Sequence, residues 1–235
     1  SSVGYLETGN ELDNSIDSLA RADKYYSAGS RYSMDSLNAV RVKIANVLRN
    51  RGYYYFRPEY IEYYADSTIK KGKIAMRMAK AKGIPPAALR RYNTGKITTV
   101  INRYQGAGTP DTIDLGVKGI MIRNNPLRLN DKIMSQRLTF REGRTFRVRD
   151  MERTQASLST MGIFSGIDID VTPLDSITAD RNTVDVAINC TMDQPIEAKI
   201  EAQATSKSNS FIGPGLTLGV AHKNLFGGGE ILNAD

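Results

Sequence analysis

Ile196-Glu197-Ala198-Lys199-Ile200-Glu201-Ala202-Gln203-Ala204-Thr205 alternates apolar and polar residues without a break over ten positions. Successive side chains of a strand point to opposite faces, so this period of two predicts one strand with an apolar face and a polar face. Ten residues is also the length of a tilted membrane-crossing strand, with lipid outside and water inside a barrel. Alternation alone fits the edge of a soluble sheet equally well.

The residues that follow favour a barrel wall. Leu216, Leu218 and Val220 alternate with Thr217, Gly219 and Ala221. The turn-rich Asn224-Leu225-Phe226-Gly227-Gly228-Gly229 then leads into a third strand expected from Glu230. Short turns between amphipathic strands build a meander, and no later helix covers the apolar face.

Upstream, the chain contains a degenerate repeat. Gly29, Tyr32, Leu37 and Ile44 match Gly143, Phe146, Met151 and Leu158 at one constant offset. Both copies end on a glycine before aromatic or β-branched residues, Gly52-Tyr53-Tyr54-Tyr55-Phe56 and Gly162-Ile163-Phe164. The first copy is four residues longer before its glycine, about one helical turn, so the apolar face stays roughly in phase. Both glycines are predicted at helix C′ positions.

In the first copy, Leu37, Val40, Ile44, Val47 and Leu48 mark one helical face, with Ser33 or Asp35 as cap. Leu12, Ile16 and Leu19 mark a shorter helix over 11–24, and Val3-Gly4-Tyr5-Leu6 fits a strand. A Tyr-rich strand over 53–65 and a half-buried strand at Lys73–Met78 complete the order strand, helix, helix, strand, strand. The tyrosines are read as strand packing in preference to a base-stacking platform.

Ile84-Pro85-Pro86 reads as a linker. The second copy repeats the order with a strand at Lys96–Asn102, an added strand near Val117–Ile122 and helices near Leu129–Leu138 and Val148–Met161. Strands at Ile167–Val171 and Val184–Ile188 close it. Asp193-Gln194-Pro195 ends it. The expected boundaries are therefore 1–84, 85–194 and 195–235.

Composition narrows the class. The 235 residues are 40% hydrophobic and 24% charged, as in an ordinary folded protein. The formal charge of +7 is concentrated at Lys70, Lys71, Lys73, Lys80 and Lys82 and at Arg137, Arg141, Arg144, Arg147, Arg149 and Arg153. That balance suits nucleic acid, acidic polypeptide or anionic lipid, and also a solvated face with no partner. No stretch approaches the roughly 20 apolar residues of a spanning helix. Both ends read as those of a mature or cut piece of a longer chain.

Catalytic constellations are missing from the pattern. There is no G-x-S-x-G, and the single histidine, His222, falls on an expected barrel rim. Gly213-x-Gly215 has Leu218 where a phosphate loop needs a third glycine. Asp168 and Asp170 share a strand face without a base beside them, and the single cysteine, Cys190, reads as a buried thiol. No catalytic residue, metal or cofactor is expected.

Two motifs carry a family resemblance. Leu158-x-x-Met161-Gly162-Ile163-Phe164 resembles the ending of a polypeptide-transport-associated (POTRA) repeat. His222-Lys223-Asn224-Leu225-Phe226-Gly227-Gly228-Gly229-Glu230 resembles the first periplasmic turn of the barrel in outer-membrane β-barrel assembly proteins of the BamA/TamA-like kind. Arg41–Phe56 looks most like Bacteroidetes forms. The resemblance implies an α+β fold: tandem β-α-α-β-β POTRA repeats, each a three-stranded mixed sheet with two helices, then the first antiparallel strands of a transmembrane β-barrel. Residues 106–126 depart from it by adding a strand or hairpin.

The resemblance further implies an outer-membrane location with the repeats in the periplasm. Expected partners are unfolded outer-membrane protein clients, accessory subunits or lipoproteins, and outer-membrane lipid, with no nucleic acid. Clients would be bound by strand addition at Tyr53, Tyr54, Tyr55, Phe56, Tyr60 and Glu62 in the first repeat and at Gly166, Ile167, Asp168 and Ile169 in the second. Ile196, Ala198, Ile200, Ala202 and Ala204 would mark the barrel seam strand, and Asn224, Leu225, Phe226, Gly227, Gly229 and Glu230 the periplasmic turn. Arg137–Arg153 would face anionic headgroups. Two alternatives stay open: a two-partner secretion transporter with one dedicated substrate, and a soluble basic αβ repeat that binds nucleic acid in a salt-dependent way.

Overall fold

A computed structural model describes residues 11–26, 33–70, 73–106, 108–125, 127–174, 182–206 and 212–234. The strand expected at Val3–Leu6 and the repeat positions Gly29 and Tyr32 lie outside these residues. The chain forms two compact units, one of residues up to Asn93 with Thr145–Arg149, the other of Thr94–Arg144, Asp150–Asp175 and Thr183–Asp235.

The first unit is built on two amphipathic helices. Helix α1 (Glu11–Arg21) buries Leu12, Ile16 and Ala20, and α2 (Met34–Arg49) buries Leu37, Val40, Ile44, Ala45 and Leu48. The spacing of three and four residues places each set on one face. Burying a Leu, Ile or Val side chain contributes about 1.5–3 kcal/mol over leaving it in water, so α2 is held mainly by its inner face. Ser33 caps α2, its hydroxyl accepting from the Ser36 N–H at 3.5 Å.

At the other end of α2, the Gly52 N–H donates to the Arg49 carbonyl at 3.3 Å and the Tyr53 N–H to the Leu48 carbonyl at 3.1 Å. That is a Schellman closure with Gly52 at C′, and its φ of +101° is the left-handed geometry glycine tolerates. Strands β1 (Ile61–Lys70) and β2 (Lys73–Lys80) then pair antiparallel, Ile61 opposite Lys80 and Asp66 opposite Ala75. Ile61 and Met78 join the helices in one core.

One expectation for this unit is corrected. The Tyr-rich stretch is not a strand from residue 53: Tyr54 and Tyr55 form a turn flanked by irregular Tyr53 and Phe56, Pro58–Tyr60 is a 3₁₀ turn, and β1 starts at Ile61. Pro58 has no N–H for a ladder, and Tyr53 and Phe56 are drawn into the core at 5% and 1% exposure.

The second unit holds a five-stranded sheet, ordered β4-β5-β3-β7-β6. Its strands are β3 (Asn93–Asn102), β4 (Thr109–Asp114), β5 (Ile120–Asn125), β6 (Phe164–Pro173) and β7 (Thr183–Met192). Helices α3 (Asp131–Arg137) and α4 (Val148–Ser159) stand between β5 and β6 in sequence. Strands β3, β6 and β7 with the two helices give the β-α-α-β-β order. The insertion is a hairpin, β4 antiparallel to β5, and β5 adds to the outer side of β3 in parallel register, Thr98 opposite Ile120. Val117 is not in a strand but in the exposed 3₁₀ turn Gly116–Lys118 between them.

Gly119 explains the close approach of that hairpin. Its φ of +81° and ψ of −149° suit glycine alone, and a Cβ there would lie 2.7 Å from the Cβ of Ile97 and closer still to the Ile97 carbonyl oxygen. Arg123 ties the hairpin to the start of α3, its guanidinium 3.1 Å from Asp111, 3.3 Å from Asp131 and 2.9 Å from the Leu129 carbonyl. The inner face of β7, Val184, Val186, Ile188, Cys190 and Met192, is buried, as are Met134 and Leu158 of the helices.

After Pro195 the chain forms a separate three-stranded meander, ordered β10-β9-β8. Its strands are β8 (Ile196–Ser206), β9 (Ile212–Lys223) and β10 (Ile231–Ala234). All neighbours are antiparallel. Among the described residues no helix is long and apolar enough to cross a membrane, which leaves crossing by strands untouched.

Candidate functional site

The meander sorts its side chains cleanly. Pairing sets Ile196 opposite His222, Ala198 opposite Val220, Ile200 opposite Leu218 and Ala202 opposite Leu216. Directly paired residues share a face, so two rows of alternation merge into one apolar surface. It is bare: Ile200 is 72% exposed and Leu216 67%. Glu197, Lys199, Glu201 and Gln203 lie on the other face, opposite Ala221, Gly219, Thr217 and Gly215. Among the described residues nothing covers this apolar surface along Ile200, Leu216 and Leu218.

Strand β8, the expected seam, is an edge with β9 as its only neighbour among the described residues. Ala204 sits on it opposite Pro214. The N–H and C=O groups on its outer side are thus available to a further strand.

The loop between β9 and β10 is a folded object. Asn224 takes a φ of 64°, its N–H donates to the Glu230 carbonyl at 2.7 Å, and its side-chain oxygen accepts from Gly229 at 2.9 Å. The Glu230 carboxylate accepts from the N–H groups of Phe226 and of Gly228, the latter at 2.8 Å. The Phe226 bond above all holds the Glu230 carboxyl below its ordinary range. Leu225 and Phe226 stay outside, Phe226 at 78% exposure.

This loop is docked on the second repeat. The Asn224 amide donates to the Arg128 carbonyl at 2.6 Å, and the Asn130 N–H donates to the Gly227 carbonyl at 2.8 Å. At Gly229 a Cβ would fall 2.6 Å from Met161 Cε. Nearby, Lys223 joins Asp193 at 2.7 Å and Glu197 at 3.2 Å, and its N–H donates to the Pro195 carbonyl at 2.8 Å. The Lys223 hydrogen bond lowers the Asp193 carboxyl. Repeat and meander are therefore joined by polar bonds at several points. Arg128, Asn130 and Met161 are absent from the sequence-based site residues, and the bonds of the first two run through backbone atoms that no side-chain pattern advertises.

The expected client-edge residues Gly166, Ile167, Asp168 and Ile169 lie on β6, an edge of the five-stranded sheet, with Ile167 and Ile169 half-buried and Asp168 exposed. Of the first-repeat residues only Glu62 is on a strand, β1, whose partner is β2. The tyrosines pack on one another and on neighbouring rings: Tyr54 meets Phe146 edge-on at 5.1 Å, and Tyr55 meets Tyr92 at 5.6 Å. Tyr63 on β1 bonds the Leu37 carbonyl, and burial raises its hydroxyl to about 12.

The arginines Arg137, Arg141, Arg144, Arg147, Arg149 and Arg153 are all exposed. Cys190 is buried on β7, and burial pushes its thiol up to about 12. Among the described residues no group of three His, Cys, Asp or Glu is placed to hold a metal.

The fold as a whole recurs in a solved structure. BamA from Haemophilus ducreyi, in a form lacking POTRA domains 1–3, matches 99% of this chain at 14% identity and a TM-score of 0.59. In fold, this chain is BamA-type. It spans about a third of the BamA chain, 36% of its length. CdiB from Acinetobacter baumannii also aligns over 99% of the chain, at 10% identity and a TM-score of 0.42. The N-terminal domain of Omp85 from Thermosynechococcus elongatus covers 82%, at 12% identity and a TM-score of 0.34. No protein-family model matches the sequence, and no curated protein sequence does either. The BamA-type fold accounts for β3, β6 and β7 with two helices as a POTRA-like repeat and for β8–β10 as the start of a barrel.

Proposed function

We propose that this chain is the periplasmic arm and barrel start of an outer-membrane protein assembly or translocation factor, with the repeats in the periplasm and β8–β10 in the membrane wall. The observation that carries the reading is the bare apolar face of β8 and β9 on a sheet hydrogen-bonded to a POTRA-like repeat. Residues 1–84 and 85–194 are the two arm repeats and 195–235 the beginning of the barrel.

Clients are unfolded outer-membrane proteins, received by strand addition at the β6 edge around Gly166–Ile169 and along β1 from Ile61 and Glu62. Backbone pairing gives affinity with little demand on client sequence. Strand β8 offers the same chemistry at the seam. The aromatic residues 53–60 support β1 from beneath and do not pair with the client. Accessory subunits or lipoproteins dock on the arm, and the reaction needs no catalytic side chain or cofactor.

Photo-crosslinking residues placed along β6 and β1 of the full-length protein test this. Adducts to nascent barrel proteins, with alternate positions labelling, are the expected result. Labelling that ignores strand alternation, or no client adducts at either edge, overturns it.

A further inference from the structure

Beside the docked turn, the second unit contains a cleft of about 490 Å³. Arg103 and Tyr104 come from the end of β3, Leu127 and Arg128 from the approach to α3, and His222 and Leu225 from the meander. The volume is within the range of small-molecule sites, about 300–1,000 Å³.

The charges in the cleft are unbalanced. Its lining includes Arg103, Arg128 and Lys223 against one carboxylate, Asp193. Lys223 is already satisfied by Asp193 and Glu197. Among the described residues neither Arg103 nor Arg128 forms an ion pair. His222 Nδ1 is buried in the same wall and has no hydrogen-bond partner.

Position says which anion fits. By register His222 shares the face of Ile196, Ile200, Leu216 and Leu218, the exposed apolar surface. Any molecule with its head in the cleft has a hydrocarbon-compatible track leading away from it. Leu127, Ile163, Met192 and Leu225 supply an apolar floor near the head. Guanidinium groups match phosphate oxygens in pairs, which a carboxylate-lined or neutral cleft does not.

We propose that this cleft seats the phosphate headgroup of an anionic phospholipid, with an acyl chain along the apolar face of β8 and β9. Arg103 and Arg128 bind the phosphate oxygens. The bound lipid would mark the depth at which the repeat stops and the membrane begins. The proposal rests on β8–β10 being a membrane wall, but lipid binding and client crosslinking are read separately, so either can fail alone.

The test is a titration of the full chain with dihexanoyl phosphatidylglycerol below its micelle concentration, followed by amide shifts at Arg103–Gln105 and His222–Leu225. Dihexanoyl phosphatidylcholine and inorganic phosphate are the parallel arms. Saturable phosphatidylglycerol binding, about tenfold tighter than either, is expected, as is a loss of about tenfold in the Arg103→Gln, Arg128→Gln double variant. Arg141→Gln, outside the cleft, should leave binding unchanged. Equal binding of phosphatidylcholine, equal binding of free phosphate, no saturable shifts, or a double variant that binds like the parent would each overturn the proposal.

Discussion

Replacing Gly119 by alanine should separate the inserted hairpin from the repeat it extends. Gly119 occupies a backbone region, φ +81° and ψ −149°, that costs a side-chain-bearing residue about 1–3 kcal/mol. The new methyl would lie 2.7 Å from Ile97 Cβ, with the Ile97 carbonyl oxygen nearer still, so β5 must move away from β3. Such overpacking costs about 1–3 kcal/mol more. Taken together, a loss of about 4 kcal/mol is expected, which for a chain of this size lowers Tm by roughly 8–16 °C. Gly116→Ala is the matched control: its φ is also positive, +64°, but nothing stands within 4 Å of the added methyl. That variant should lose only about 1–2 kcal/mol. Thermal melts of both, with hydrogen exchange at Thr98–Ile101, give the readout. If Gly119→Ala melts with Gly116→Ala and the β3 amides stay protected, steric pinning of the hairpin is wrong.

Phe56→Ala, at a side chain 1% exposed in the first unit, should destabilise that unit by about 3–5 kcal/mol in urea titration. The Glu230 carboxyl is held below its ordinary 4.5, so its support of the turn is complete above about pH 4.5 and is lost as pH falls through the lower folded value. Amide shifts of Phe226 and Gly228 should therefore titrate with a midpoint below 4.5, and Glu230→Gln should abolish that step. Cys190, buried with its thiol pushed to about 12, should resist maleimide in the folded protein and react once denatured.

Much of this architecture is legible in the residues because alternation and helical spacing are long-range signals. Ile196–Thr205 names its two faces outright, and Leu37, Val40, Ile44 and Leu48 name the inner side of α2. The Tyr-rich stretch misleads because aromatic residues fit strands and also fit any buried turn. What decides is Pro58 and the helix closure at Gly52, which keep the chain out of a ladder until Ile61. The inserted segment was legible as an addition, but its turn was not: Val117 looks like a strand residue, whereas Gly116 and Gly119 with positive φ mark where the hairpin reverses. The cleft was not legible at all. Arg103, Arg128 and His222 are far apart in sequence and meet only because the turn docks where it does.

The docked turn has one more consequence. Its bonds to the repeat use the carbonyls of Arg128 and Gly227 and the amide of Asn130, so only Asn224 contributes a side chain to them. Those bonds fix the path of the backbone, while Gly229 and Glu230 are the positions where residue identity still matters. Two sequences can differ at many of the side chains around this joint and still seat the turn on the repeat. The fold shared with BamA from Haemophilus ducreyi comes with 14% sequence identity.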